Sequence, residues 1–242
     1  RVINHQPFAA GKFALACLLV ALMSSALATA QEEPLREAFP NDEFLVREAM
    51  VPMRDGVKLY TLIITPKSDT GALPVILKRT PYDASDALNG RASSRLDVNL
   101  GSEFLGEDYI YVVQDIRGQF KSEGEYFMYR APRGAFNKTD TDETTDAWDS
   151  IEWIVNNVTS NGRVGIWGNS YPGWLVLATM RDPHPALAAA VPLNPVVDVW
   201  KADDWFHWGA FRALYAFDFI YSMQSIPGDY AAYPYDKRDM YT

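Results

Sequence analysis

Residues 163–173, RVGIWGNSYPG, constrain the fold more than any other stretch of this chain. Val164 and Ile166 alternate with Gly165 and lead into Trp167, a short apolar run that predicts a buried strand. Gly168 and Gly173 flank Ser170, and Trp174, Leu175, Val176, Leu177 and Ala178 continue beyond them as a buried helix. A strand, a tight turn carrying one serine and a helix make a nucleophile elbow. The turn holds Oγ proud of the sheet, and the helix N-terminus stabilises negative charge beside it. The match to G-x-S-x-G is displaced, because Pro172 takes the last glycine's place and Gly173 follows one residue later. Proline suits the first helical turn, where its missing N–H has no intrahelical acceptor to lose. Tyr171 keeps its N–H, the group an elbow offers to an oxyanion. The competing reading makes Ser170 a plain helix N-cap.

With 48% hydrophobic and 13% aromatic residues in 242, the chain can bury a sizeable core, which excludes global disorder. Its 22 basic against 31 acidic residues leave a net charge of −9. That argues against a nucleic-acid partner, which needs a basic face, and leaves a cationic or neutral substrate open.

Residues 1–30 carry the pattern of a secretory signal peptide. Arg1, His5 and Lys12 precede an apolar run from Phe13 to Leu27, and Ala28-Thr29-Ala30 supplies a small-x-small cleavage site. The run is shorter than the ~20 apolar residues of a spanning helix, so no stable membrane anchor is expected. The mature chain is expected to start near Gln31 and to be periplasmic or secreted. Cys17, the only cysteine, sits early in the apolar run behind Ala14-Leu15-Ala16, a poor lipidation site. The exported chain then has no cysteine, and its stability must come from packing without disulfides.

Residues 31–43, polar with Pro34 and Pro40, predict an extended arm, and residues 44–242 a globular domain. Strands are expected over 44–52 and 58–65, joined by a turn in which Asp55-Gly56 supplies positive φ angles. Further strands are expected over 75–80, 109–115 and 187–193. Between 139 and 157 the period becomes helical, with Ala147, Ile151, Ile154, Val155 and Val158 on one face. Asp140, Asp142, Glu143 and Asp146 lie at its N-terminal end and complement the dipole, which predicts a solvated helix start and not a metal site. A hairpin feeding strands that alternate with helices, with the serine turn on a middle strand, is the order of an α/β-hydrolase fold.

RDGVKL, KRTPYDA, QDIRGQFKSEGE, TTDAWDSIEW, NGRVGIWGNSYPG and DDWFHWGAFR occur in this order between about Val46 and Tyr215. Together they resemble the Xaa-Pro dipeptidyl-peptidase-like hydrolases, a family that includes cocaine esterase and glutaryl acylases, and most closely the α-amino acid ester hydrolases. The resemblance implies Ser170 as nucleophile, with the Tyr171 N–H and the Tyr82 hydroxyl as oxyanion donors. It implies Asp204 as an acidic residue that helps bind a substrate ammonium. The residues agree on position, since an elbow needs a second donor from the loop after the third strand. Alternatives stay open for both side chains: Tyr82 as a half-buried aromatic beside Pro81, Asp204 as a cap or surface charge.

An acyl-transferring serine also needs a histidine base oriented by a carboxylate, in the order Ser, Asp or Glu, His. Beyond Ser170 only His184 and His207 are present. His207 follows Asp203 and Asp204, but the interval from Pro192 leaves no room for the two later strands that would carry acid and base. His184 follows the elbow helix too closely and precedes every candidate acid except Asp182. Both are expected to be structural. The family resemblance then implies that the chain, which opens on Arg1, is the N-terminal portion of a longer protein. The sheet would be incomplete and the cap region truncated at Thr242, with the acid, the histidine and a C-terminal β-sandwich domain downstream. The expected activity is an exported serine hydrolase that cleaves esters, amides or short peptides through an acyl-enzyme, with no cofactor or metal. The alternatives are an Xaa-Pro dipeptidyl-peptidase, a general cocaine-esterase-like esterase or, in a different class, a catalytically silent binding module. A homo-oligomer stays open.

Overall fold

The long hairpin after the arm sets the frame. Strands β2 (Phe44–Pro52) and β3 (Lys58–Pro66) pair antiparallel from Phe44↔Pro66 to Pro52↔Lys58. In the connecting loop the Gly56 N–H reaches the Met53 carbonyl at 2.8 Å, and only Gly56, at φ 86°, takes a positive angle. Asp55 does not share it. Its carboxylate instead accepts from Arg117 at 2.7 Å, tying the turn to the domain.

The computed structural model describes residues 35–39, 44–67, 71–88, 109–201 and 204–224, all within the compact unit Leu35–Thr242. The expected leader, residues 1–30, lies outside them. Within the expected arm, β1 (Arg36–Phe39) pairs antiparallel with β2, so part of the arm is an edge strand. Strands β4 (Val75–Thr80), β5 (Ile110–Asp115), β6 (Val164–Asn169) and β7 (Leu187–Leu193) complete a seven-stranded sheet in the order β1-β2-β3-β5-β4-β6-β7. Pairing is antiparallel from β1 through β3 to β5 and parallel from β5 through β4 and β6 to β7. The crossed order places β4 and β6 side by side, bringing the loop after β4 next to the elbow after β6.

Helix α1 (Glu143–Asn157) precedes β6 and helix α2 (Tyr171–Thr179) follows it. Ile151, Ile154 and Val176 from these helices pack on Leu59, Ile63, Leu77, Val112 and Ile166 of the sheet. The opposite face buries Tyr60, Leu62, Ile64, Tyr111 and Val113 against the 3-10 turn Ala84–Leu88, through Ala84 and Ala87. The period-2 alternation of β3 and β5 thus feeds two cores, as expected of strands buried on both faces. Strand β7 is as apolar as expected, yet Val191 and Leu193 are 42% and 44% exposed. Among the described residues it has one neighbouring strand, β6, so its side chains lack the cover that the central strands enjoy.

The acidic start of α1 departs from expectation. Asp142, Glu143 and Asp146 are buried, not solvated. Asp142 is the N-cap in a reciprocal box with Thr145, and its second oxygen accepts the Arg133 N–H at 2.9 Å. Asp146 takes a two-point bond from Arg117, at 2.7 and 2.9 Å. Glu143 Oε2 lies 3.0 Å from Arg79 Nη1 without hydrogen-bond alignment, so that pair is electrostatic. The helix is pinned to the sheet by two buried arginines, Arg79 on β4 and Arg117 just after β5. Arginine suits this place because its weakly hydrated fork can satisfy buried carboxylates from several directions.

Short strands β8 (Phe206–His207) and β9 (Ala210–Phe211) form a hairpin followed by helix α3 (Ala213–Gln224). No described helix is long and apolar enough to cross a membrane.

Candidate active site

Ser170 sits between β6 and α2 with φ 63° and ψ −122°, a conformation that non-glycine residues rarely adopt. Its N–H is held by the Leu193 carbonyl at 3.0 Å, and its carbonyl accepts the Trp174 N–H at 3.0 Å. These bonds fix the turn from the neighbouring strand and from the first turn of the helix. The plain N-cap reading fails at the side chain, which makes no cap hydrogen bond.

The displaced glycine has a steric explanation. A Cβ on Gly168 would run into the backbone of Pro172, and one on Gly173 would run into the Leu193 carbonyl. Gly168 therefore lets the strand fold back on the helix start, and Gly173 lets the helix approach β7. With Pro172 in the first turn, close packing is required one residue after the usual position.

Tyr82 lies in the loop after β4, where its N–H bonds to Thr80 Oγ1 at 3.0 Å. Burial, with help from Tyr126, Tyr215 and Asp204, raises the phenol well above its ordinary value, while the nearby Ser170 side chain acts in the opposite sense. The phenol therefore keeps its proton and can donate it to an oxyanion. The Tyr171 N–H is the first of the helix and has no intrahelical acceptor, so it can donate on the same side of the elbow. The Tyr171 ring is buried, stacked on Tyr129 at 4.3 Å and edge-on to Tyr82 at 6.4 Å, and its hydroxyl accepts the Tyr129 N–H at 2.8 Å. Both expected donor residues thus belong to one aromatic cluster around Ser170.

The Tyr82 loop is anchored by a group that sequence reasoning passed over as a strand terminus. Asp115, at the end of β5, accepts the Ala84 N–H at 2.5 Å. Its backbone carbonyl accepts from Ser122 Oγ at 2.7 Å. Burial pushes its carboxyl up to about 7, against the bonds from the Ala84 and Lys121 N–H groups. Between the two anchors, Thr80 and Asp115, Asp83 is left at φ 73°. The signal was in the motif QDIRGQFKSEGE, where Gln114 and Asp115 end an otherwise apolar strand.

A polar cleft of about 590 Å³ opens over Ser170 and is also lined by Asn194, Asp204, His207 and Arg212. It brings Asp204 to the serine, from a segment 34 residues further along the chain. Asp203 lies outside the described residues. A separate cleft of about 440 Å³, lined by Tyr129, Trp174 and Arg181, does not include Ser170. His184 is committed elsewhere: its Nδ1 accepts the Ala186 N–H at 3.0 Å, so Nε2 carries the proton and donates to Glu152 at 2.7 Å. That arrangement agrees with the structural role expected of it. His207, weighed above as a base and expected to be structural, lines the Ser170 cleft. No group of three or more metal-ligating side chains occurs among the described residues.

The profile of the X-Pro dipeptidyl-peptidase (S15) family matches residues 55–236. The chain belongs to that family. Within and around this hydrolase family, the chain is 43% identical to a selenomethionine-labelled α-amino acid ester hydrolase, with a TM-score of 0.76 over 85% of this chain and 34% of that one. It is 38% identical to an aminopeptidase from a marine sediment archaeon (Thaumarchaeota archaeon), with a TM-score of 0.76 over 89% and 37% of the two chains. The cocaine esterase of Rhodococcus sp. (strain MB1 Bresler) is 35% identical over 153 residues, 63% of this chain and 24% of the esterase. The chain thus spans about a quarter to a third of the length of these relatives. For an S15-family chain the fold described above is the expected α/β-hydrolase sheet, and the elbow falls inside the matched residues.

Proposed function

We propose that this chain carries the nucleophile and oxyanion site of a serine hydrolase that cleaves esters or amides through an acyl-enzyme, with α-amino acid esters as the substrate class. A serine held at positive φ in the turn between β6 and α2, with Tyr82 packed edge-on to the adjoining Tyr171, is the observation that carries the reading. Ser170 Oγ attacks the carbonyl carbon and its proton passes to a general base. The carbonyl oxygen, now negative, is held by the Tyr171 N–H and the Tyr82 hydroxyl. Collapse expels the leaving group with the base's proton, and water then releases the acyl group by the reverse steps. The base is proposed to be a histidine outside the described residues: His184 already serves Glu152 and Ala186, and the His207 ring, though it lines the cleft, has no carboxylate hydrogen-bonded to it among the described residues.

Asp204, half-buried in the Ser170 cleft, is proposed to bind the substrate's α-ammonium. The likeness to an α-amino acid ester hydrolase and to an aminopeptidase, both named for substrates with a free amine, supports that assignment. Export to the periplasm or medium is proposed on the pattern of residues 1–30.

A fluorophosphonate probe is expected to label the full-length protein on Ser170, and Ser170→Ala to abolish the label. Labelling that survives the substitution would remove the serine from the mechanism.

A further inference from the structure

The Ser170 cleft holds charges of both signs, and only the negative one has been given a task. Asp204 and Arg212 sit at the open end of the β8–β9 hairpin. The Arg212 N–H bonds to the Trp205 carbonyl at 2.8 Å, extending the Phe206↔Phe211 and His207↔Ala210 pairing by one step. This places a carboxylate and a guanidinium on a shared rigid support, and both line the cleft that contains Ser170. Arg212 makes no ion pair among the described residues. Its guanidinium rests over the Tyr215 ring, 6.0 Å from the centroid, a contact that orients the group.

Within the cleft Asp204 is half-buried and Arg212 exposed, so the guanidinium is the charge nearer solvent, where a leaving group departs, and it rests over Tyr215. We propose that Arg212 recognises a carboxylate on the leaving-group side of the substrate, so that the site selects zwitterionic molecules such as short peptides or amino acids esterified to a hydroxy acid. Asp204 would take the ammonium of the acyl part and Arg212 the far carboxylate, with the scissile carbonyl at Ser170 between them. The inference rests on the reading of Ser170 and Asp204 given above. Guanidinium suits this role because its planar fork meets a carboxylate with two parallel N–H bonds.

The test compares two esters of phenylglycine that differ only at the far end, the glycolate ester with a free carboxylate and the neutral glycolamide ester. Binding is measured by calorimetry on full-length protein carrying Ser170→Ala, so the outcome does not depend on turnover or on the unassigned base. The glycolate ester is expected to bind about tenfold more tightly than the glycolamide, the gain of a charge-assisted two-point contact. Adding Arg212→Gln is expected to erase that difference, and Arg212→Lys to keep part of it. Equal affinities, no binding of either ester, or an equal loss for both on Arg212→Gln would overturn the proposal. Fluorophosphonate labelling of the parent reports separately on the acyl-enzyme, so failure of one reading is not mistaken for failure of the other.

Discussion

At the scale of single residues, the site is a serine forced into a costly backbone conformation, with the Tyr171 N–H and the Tyr82 hydroxyl proposed as its oxyanion donors. A non-glycine residue at positive φ costs on the order of 1–3 kcal/mol, and it persists only where surrounding contacts over-determine it. Here the Leu193 carbonyl, the Trp174 N–H and the close approaches at Gly168 and Gly173 do so. Tyr82 is the donor whose contribution can be isolated, because removing its oxygen leaves the ring and its packing on Tyr171 in place. Loss of one oxyanion donor lowers turnover by about 10²–10³. Tyr82→Phe in the full-length enzyme is therefore expected to lower kcat with little change in KM, as for an interaction made only in the transition state. Steady-state kinetics on an ester substrate decide it, and an effect confined to KM would make Tyr82 a packing residue. The turn that holds Ser170 and Tyr171 was legible in the sequence because a strand, a turn and a helix leave a local pattern. The anchoring of the Tyr82 loop by Asp115 and the place of Arg212 in the Ser170 cleft were not, since each depends on pairings made by other segments.

At the scale of elements, the strand ends explain both what the sequence foretold and what it concealed. Each expected strand from β2 to β7 is present, because an apolar run bounded by turn residues needs no tertiary information to be read. The acidic start of α1 was misread for the same reason. Its partners Arg79 and Arg117 sit on β4 and after β5, and nothing in the local pattern shows that the sheet delivers them. Asp115 makes the energetic consequence measurable. Its folded value of about 7 stands above the ordinary 3.8, chiefly because burial disfavours the charged form. Between about pH 4 and pH 7 the native state therefore holds a proton that the unfolded chain has released, and this group's contribution to stability falls as pH rises through that window. Asp115→Asn removes the titration and keeps an oxygen acceptor for the Ala84 N–H. Chemical denaturation of the two proteins from pH 4 to 8 is expected to show the variant gaining on the parent by a few kcal/mol, roughly one and a third per unit of displaced pKa. A difference that stays flat with pH would mean that Asp115 titrates normally. Asp55 and Asp142 act in the other direction. Both are depressed despite burial, by Arg117 and by the Arg133 and Thr145 N–H groups respectively, so their contributions are lost as pH falls.

At the scale of the molecule, the sheet order is what turns separate sequence motifs into one cleft. β4 and β6 become neighbours only because β5 lies outside them, and the Tyr82 loop thereby meets the Ser170 elbow. The segment at the hairpin before α3 then brings Asp204 into the cleft over Ser170. A net charge of −9 favours approach of a cationic substrate but gives little specificity, since exposed charges are screened by salt. Specificity for an amine needs a carboxylate that the substrate itself desolvates, and Asp204, half-buried beside Ser170, occupies such a place. A charge-assisted hydrogen bond to an ammonium there is worth about 1.5–3 kcal/mol, or one to two orders of magnitude in kcat/KM. In the full-length parent, a phenylglycine ester is therefore expected to exceed its des-amino analogue by that factor. Asp204→Asn is expected to bring the amino ester down toward the analogue and to leave the analogue's own kcat/KM within a few-fold of its starting value. The second comparison separates recognition from structure, because a fold disturbed by the substitution would slow both esters together. Equal kcat/KM for the two esters in the parent would withdraw the amine assignment and favour a general esterase built on the same elbow.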